Sequence, residues 1–145
     1  MKQGLASVAA LLLFASSGNG IVSSKHKRQS SPKPLDVSMV ALLANPQAYD
    51  GKLVRTIGFL CIEFEGDALY LHEEDYRHAL TKNSFALRLT DSHREQFKNS
   101  NLKYVLIEGT VYANGLERTD RWSGAIGNIT RLEPWFFNRK STPPK

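Results

Sequence analysis

The chain has a single cysteine, Cys61, so it can form no internal disulfide and its fold must be held by packing. The setting of that cysteine, GFLCIEF, is apolar and offers no nearby cation to favour a thiolate, which predicts a buried structural role rather than a reactive one. No glycine-rich phosphate loop follows a strand, which removes a common nucleotide-binding signature. The zincin pattern His-Glu-x-x-His is missing too: in LHEEDYRHAL, residues 71 to 80, Tyr76 stands where the second histidine belongs. The apolar run Leu5 to Ala15 is too short to span a bilayer.

That run follows Lys2 and gives way to Ser16, Ser17 and Gly18, the layout of a secretory signal peptide over residues 1–20. A buried N-terminal helix is the other reading, but SSKHKRQSSPKP has no apolar residue to continue a core and reads as a basic linker over 21–34. The expectation is therefore an exported protein, periplasmic or secreted, with no transmembrane segment after signal removal. Residues 35–138 form one domain, long enough for a single core and too short for two. A basic tail, 139–145, follows.

The formal charge of +5 misleads when taken over the whole chain. From Leu35 to Asn138 there are 11 Lys and Arg against 14 Asp and Glu, so the domain itself is acidic by three charges. The basic excess lies in the flanking segments, among Ser and Pro, and makes no basic face on the fold.

Within the domain, LDVSMVALLA is a dense apolar run with Asp36 available as a cap and Asn45-Pro46 as a stop, which predicts one short helix. NPQAYDG reads as a turn. KLVRTIGFLCI then has the β-branched and aromatic content of a long first strand, continuing to about Glu63. Its apolar residues Phe59, Leu60, Cys61 and Ile62 do not alternate, and a bulge or bend at Gly58 would account for that. EFEGD is a hairpin turn, and DALYLH a second strand with Leu69 and Leu71 on one face and Tyr70 and His72 on the other. SFALRLT alternates cleanly as a third strand, with Arg88 outward. DSHREQFKNSN is a polar helical turn or loop, KYVLIEGTVYA a long fourth strand with Gly109 in its middle, and SGAIGNITRLEPW a fifth, ended by Pro134 and pinned by Trp135, Phe136 and Phe137.

Five strands, a helical stretch between the third and fourth, and glycine-bent long first and fourth strands predict a mainly β fold. The expected form is a five-stranded OB-fold-like Greek-key barrel with a short N-terminal helix and helical connections. A β-sandwich or meander is the rival. The run NPQAYDGKLVRTIGFLCIEFEGDALYL, with KYVLIEGTVYANG and GNITRLEPW, resembles small exported bacterial OB-fold-like proteins of unknown function. Tyr49, Gly51, Lys52 and Val54, then Val105, Gly109 and Val111, are similar to the strand-opening patterns of the wider anticodon-binding-like group. The resemblance covers roughly residues 37 to 135 and implies a fold, not an activity. It departs from the family where about a dozen residues, His72 to Asn83, separate the second and third strands.

His72 and His78 are six residues apart, which on a helix leaves them about 120° from superposition. Glu73, Glu74 and Asp75 fit a solvated helix N-terminus, where negative charge is favourable. Glu63, Glu65 and Asp67 lack the spacing of a calcium loop, and Asp91, Ser92 and His93 form a triad in composition only. Neither a metal nor a cofactor is expected, nor an enzyme. The expected function is a non-catalytic binding module for a protein, glycan or small anionic ligand. Its predicted ligand-binding residues are Tyr70, Arg88, Arg118, Arg121 and Trp122, with His72 and Arg55 as further members of the face. The alternative is a nucleic-acid or anionic-surface binder, which the acids Glu63, Glu65 and Asp67 disfavour, and a metal-assisted hydrolase is a distant third.

Overall fold

The computed structural model of the chain describes residues 32–64, 66–114 and 121–136. The expected signal peptide, most of the linker, the basic tail, Glu65, Arg118 and Phe137 lie outside these described residues.

The helix expected over LDVSMVALLA starts later than its apolar content suggests. Leu35–Asp36 form a short strand, β1, and the helix α1 is Met39–Ala44. Ser38 rather than Asp36 is the cap: its backbone is extended and its hydroxyl accepts from the Ala41 N–H at 3.2 Å. Asp36 instead faces Arg55 across the β1 pairing, at 3.2 Å. Met39 and Leu42, three residues apart, turn one helix face into the core and leave Val40 on the other. Asn45 stops the helix before Pro46, and Pro46–Tyr49 is a 3-10 turn.

The strands that follow are β2 (Leu53–Cys61), β3 (Ala68–Tyr70), β4 (Ser84–Leu87), β5 (Lys103–Tyr112) and β6 (Ala125–Pro134). Helix α2 (Glu73–Arg77) joins β3 to β4, and α3 (Asp91–Phe97) joins β4 to β5. The strand order is β1-β2-β3-β4-β6-β5, and β2 also pairs with β5, which closes β2 to β6 into a barrel. All pairings among these five are antiparallel except β4 with β6, which is parallel. This is a mixed five-stranded OB-fold-like barrel, as the strand pattern predicts, with β1 as an added parallel strand on β2.

Closure depends on β2 changing partners along one edge. β1 pairs with it at Val54 and Arg55, β3 at Phe59 to Cys61, and Gly58 lies at the handover. The register of β2 on β5 has no irregularity there, so Gly58 marks a close approach rather than a bulge. At Gly109 the register slips, from Glu108↔Arg131 to Thr110↔Gly127. The extra residues belong to β6, where Asn128 takes a left-handed φ of 46°. The irregularity expected on the fourth strand is thus built by its partner.

The missing alternation in β2 has a different cause from a bend. Leu60 belongs to the barrel interior with Leu42, Leu69, Phe85, Ile107 and Ile126. Phe59 and Cys61 point the other way, into a second cluster with Ala68 and Tyr70, outside the wall and covered by Tyr76 of α2 and by Trp122. A strand buried on both faces has no polar face to show. Cys61 is only 1% exposed, and burial, followed by the charge of Glu63, pushes its thiol up to about 12. That holds it as a thiol and suits a packing role.

Candidate functional site

The residues of LHEEDYRHAL are assembled as a structural connection. The carboxylate of Asp75 accepts from the His72 backbone N–H at 3.0 Å and from the Asn83 side chain at 2.7 Å. It thereby clips the start of α2 to the segment entering β4, and it is buried. Glu73 pairs with Arg77 one turn on at 2.7 Å, and Glu74 stands 3.7 Å from His78 in the open. Among the described residues, no three His, Cys, Asp or Glu side chains gather as a metal site would require.

A cleft of about 500 Å³ opens instead beside the end of β4, lined by Phe64, Asp67, Arg88, Thr90, Arg94 and Trp122 among others. β4 runs out at Leu87, and the Arg88 N–H bonds to the Ile126 carbonyl at 2.9 Å, which fixes the backbone from which the side chain leaves. The Arg88 guanidinium is exposed and has no hydrogen-bond or ion-pair partner among the described residues. Trp122 is held by its neighbours: the Ser123 N–H bonds to the Ser84 carbonyl at 3.0 Å and the Ser123 hydroxyl to the Lys82 carbonyl at 2.5 Å. Its ring lies so close to Gly66 that a methyl group there would come within 2.8 Å. The indole N–H is buried and finds no acceptor among the described residues.

Electrostatically the cleft has one ion pair, Asp67 with Arg94, and one cation without a partner among the described residues, Arg88. Asp67 is buried at the base, and burial pushes its carboxyl above the usual range, against the pull of Arg94. The Arg94 guanidinium lies 2.9 Å from it. Arg121 lies over the Trp122 ring with its guanidinium carbon 5.5 Å from the centroid, a cation–π arrangement. Phe64, at the hairpin tip, is almost fully exposed at the cleft's edge.

The structure therefore brings Arg88, Trp122 and Arg121 to one region and treats the other predicted site residues differently. Tyr70 does not present an exposed ring. It is 7% exposed, because α2 lies over the outer face of β3 and Tyr76 meets its ring edge-on at 5.6 Å. Burial, the largest influence, raises its hydroxyl above the ordinary tyrosine range. Its place is beneath Trp122, as part of the cluster on which the indole rests. His72 and Arg55 are lining residues of a separate groove, and Arg55 is committed to Glu108 at 2.8 Å. Arg118 lies outside the described residues. Two lining residues escape sequence reasoning. Arg94 meets an acid 27 positions away, and nothing local announces that pairing. Phe64 did leave a signal, as a lone aromatic in an acidic hairpin.

No protein-family model matches the chain, and no curated protein does. Among solved structures it is similar to a protein assigned as an aspartyl-tRNA synthetase from Leishmania major Friedlin, at 11% identity and a TM-score of 0.43. The similarity covers 74% of this chain but 22% of that one, so this chain spans less than a quarter of that protein's length. The barrel itself is established by its strand pairing, independently of that likeness.

Proposed function

We propose that the chain is a non-catalytic binding module of an exported protein, and that the Arg88–Trp122 cleft takes a small ligand with a planar body and an anionic group. The observation that carries this reading is the Arg88 guanidinium, exposed and free of any partner among the described residues, in one cleft with the Trp122 indole. A planar anion accepts from the guanidinium and packs against the indole beside it. The cleft is small and Glu63 stands near it, its carboxylate accepting from the Tyr76 hydroxyl at 2.8 Å, which suits a compact anion better than a phosphate chain.

Calorimetric titration with 4-toluenesulfonate and its neutral counterpart 4-toluenesulfonamide tests this. The sulfonate is expected to bind more tightly, and Arg88→Ala to lower its affinity about tenfold, as loss of one hydrogen bond to a charged group implies. Trp122→Ala should weaken both probes by a similar factor. Equal affinity for the two probes, or no effect of either substitution, sinks the reading. Export rests on the N-terminal layout alone: the first residue of protein recovered outside the cytoplasm is expected to fall between positions 16 and 25, and an intact Met1 there refutes it.

A further inference from the structure

The partner change along the edge of β2 leaves an opening. Between Arg55, the last residue paired with β1, and Phe59, the first paired with β3, residues 56 to 58 are registered only with β5. α1 and its cap border this gap on one side and Leu71 with His72 on the other, and a groove of about 690 Å³ lies over it. That volume is in the range of sites that enclose small molecules. Its apolar lining comes from Val37, Met39, Ile57, Leu71, Leu106 and Trp135. Around the mouth, Val40 is 61% exposed, Trp135 42%, Tyr104 38% and Ile57 37%, an unusual amount of large apolar surface to leave in water at one place.

The polar groups of the groove are nearly all spent. Arg55 is held between Asp36 at 3.2 Å and Glu108 at 2.8 Å, so the charges at that end cancel. The Ser38 hydroxyl caps α1, and the Tyr104 hydroxyl accepts from the Glu73 N–H at 3.4 Å. The exception is Thr56. It lines the groove, is 3% exposed, and its hydroxyl is buried without a hydrogen-bond partner among the described residues. A buried hydroxyl left unpaired costs stability, and a group that completes it recovers that cost. His72 stands exposed at the opposite side.

We propose that this groove is a second binding site, separate from the Arg88–Trp122 cleft, for a neutral, mainly apolar small molecule carrying one hydrogen-bonding group that meets the Thr56 hydroxyl. The neutralised rim selects against a charged ligand. The apolar walls supply the affinity, and the single unpaired hydroxyl supplies the orientation.

The test uses naphthalene and 2-naphthol as neutral probes, with quenching of Trp135 fluorescence in a Trp122→Phe background as the signal and light scattering to follow the assembly state. Both probes are expected to saturate at one per chain, with 2-naphthol about fivefold tighter, the equivalent of one hydrogen bond. Thr56→Val should abolish that preference while leaving naphthalene binding unchanged. Val40→Glu, at an exposed position of α1 where the fold is not at risk, should weaken both probes about tenfold, and Ile57→Glu should do the same. Arg88→Ala should leave both affinities as they were, which separates this site from the cleft. The proposal is overturned if binding does not saturate, if the two glutamate variants bind as the wild type does, if Thr56→Val keeps the 2-naphthol preference, or if the chain self-associates through this face and excludes the probes.

Discussion

Replacing Gly58 with Val is expected to destabilise the domain by about 3 kcal/mol, near the upper end for overpacking a filled site. A Cβ at this position would lie 2.7 Å from the Leu69 Cγ and 2.8 Å from the Tyr70 carbonyl oxygen. Side chains can retreat from such a contact, but a backbone oxygen in a paired strand cannot do so without breaking its ladder. The position sits where β2 leaves β1 and takes up β3, so the cost falls on the pairing that closes the barrel. Gly109→Val should behave alike, since its Cβ would meet the Ile126 Cγ2 at 2.7 Å and the Gly127 carbonyl oxygen at 2.9 Å, beside the irregularity in β6. For a domain of this size the melting temperature should drop by about 10 °C or more. Variants that melt with the wild type would show that the strands do not press together at these glycines.

Arg94→Met is expected to cost about 2 to 3 kcal/mol at neutral pH, less than the full penalty for breaking a buried ion pair because Arg94 itself is partly solvated. The side-chain volume is retained, so the loss is electrostatic: a buried Asp67 carboxylate loses its only ion-pair partner among the described residues, keeping the Glu63 N–H at 3.2 Å. The pH dependence identifies the cause. Burial already raises the folded-state pKa of Asp67 above its ordinary value, and removing the cation raises it further. The folded variant then binds a proton at pH values where the unfolded chain does not, so its stability rises as pH falls from neutrality through that raised pKa. Denaturant titrations at pH 7 and near pH 4 should show the deficit shrinking at the lower pH. A deficit of equal size at both would mean that the guanidinium acts through packing and not charge.

Both predictions concern places where the chain is legible only in part. A glycine inside an apolar strand signals an unusual backbone environment, and Gly58 and Gly109 stand out for that reason. Which atoms come close to them depends on strands distant in sequence. The same holds for Cys61, whose apolar neighbours imply burial. They do not reveal that Phe59 and Cys61 face a second cluster outside the barrel, under α2 and Trp122. Alternation places Tyr70 outward, and its side chain does leave the barrel wall, yet α2 lies across that face and buries it.

The sequence by itself determined the mainly β class, the five strands of the barrel and the stop at Asn45-Pro46. Each of these follows from local chemistry: β-branched and aromatic content, and a proline's steric demand. Only the tertiary structure decided that β1 forms from residues expected in a helix, because that requires the edge of β2 as a template. It alone decided that Asp67 and Arg94 pair, that Asp75 clips α2 to the approach to β4, and that the Thr56 hydroxyl is buried without a partner among the described residues. Those contacts join residues far apart in the chain, and their free energy exists only once the barrel has closed.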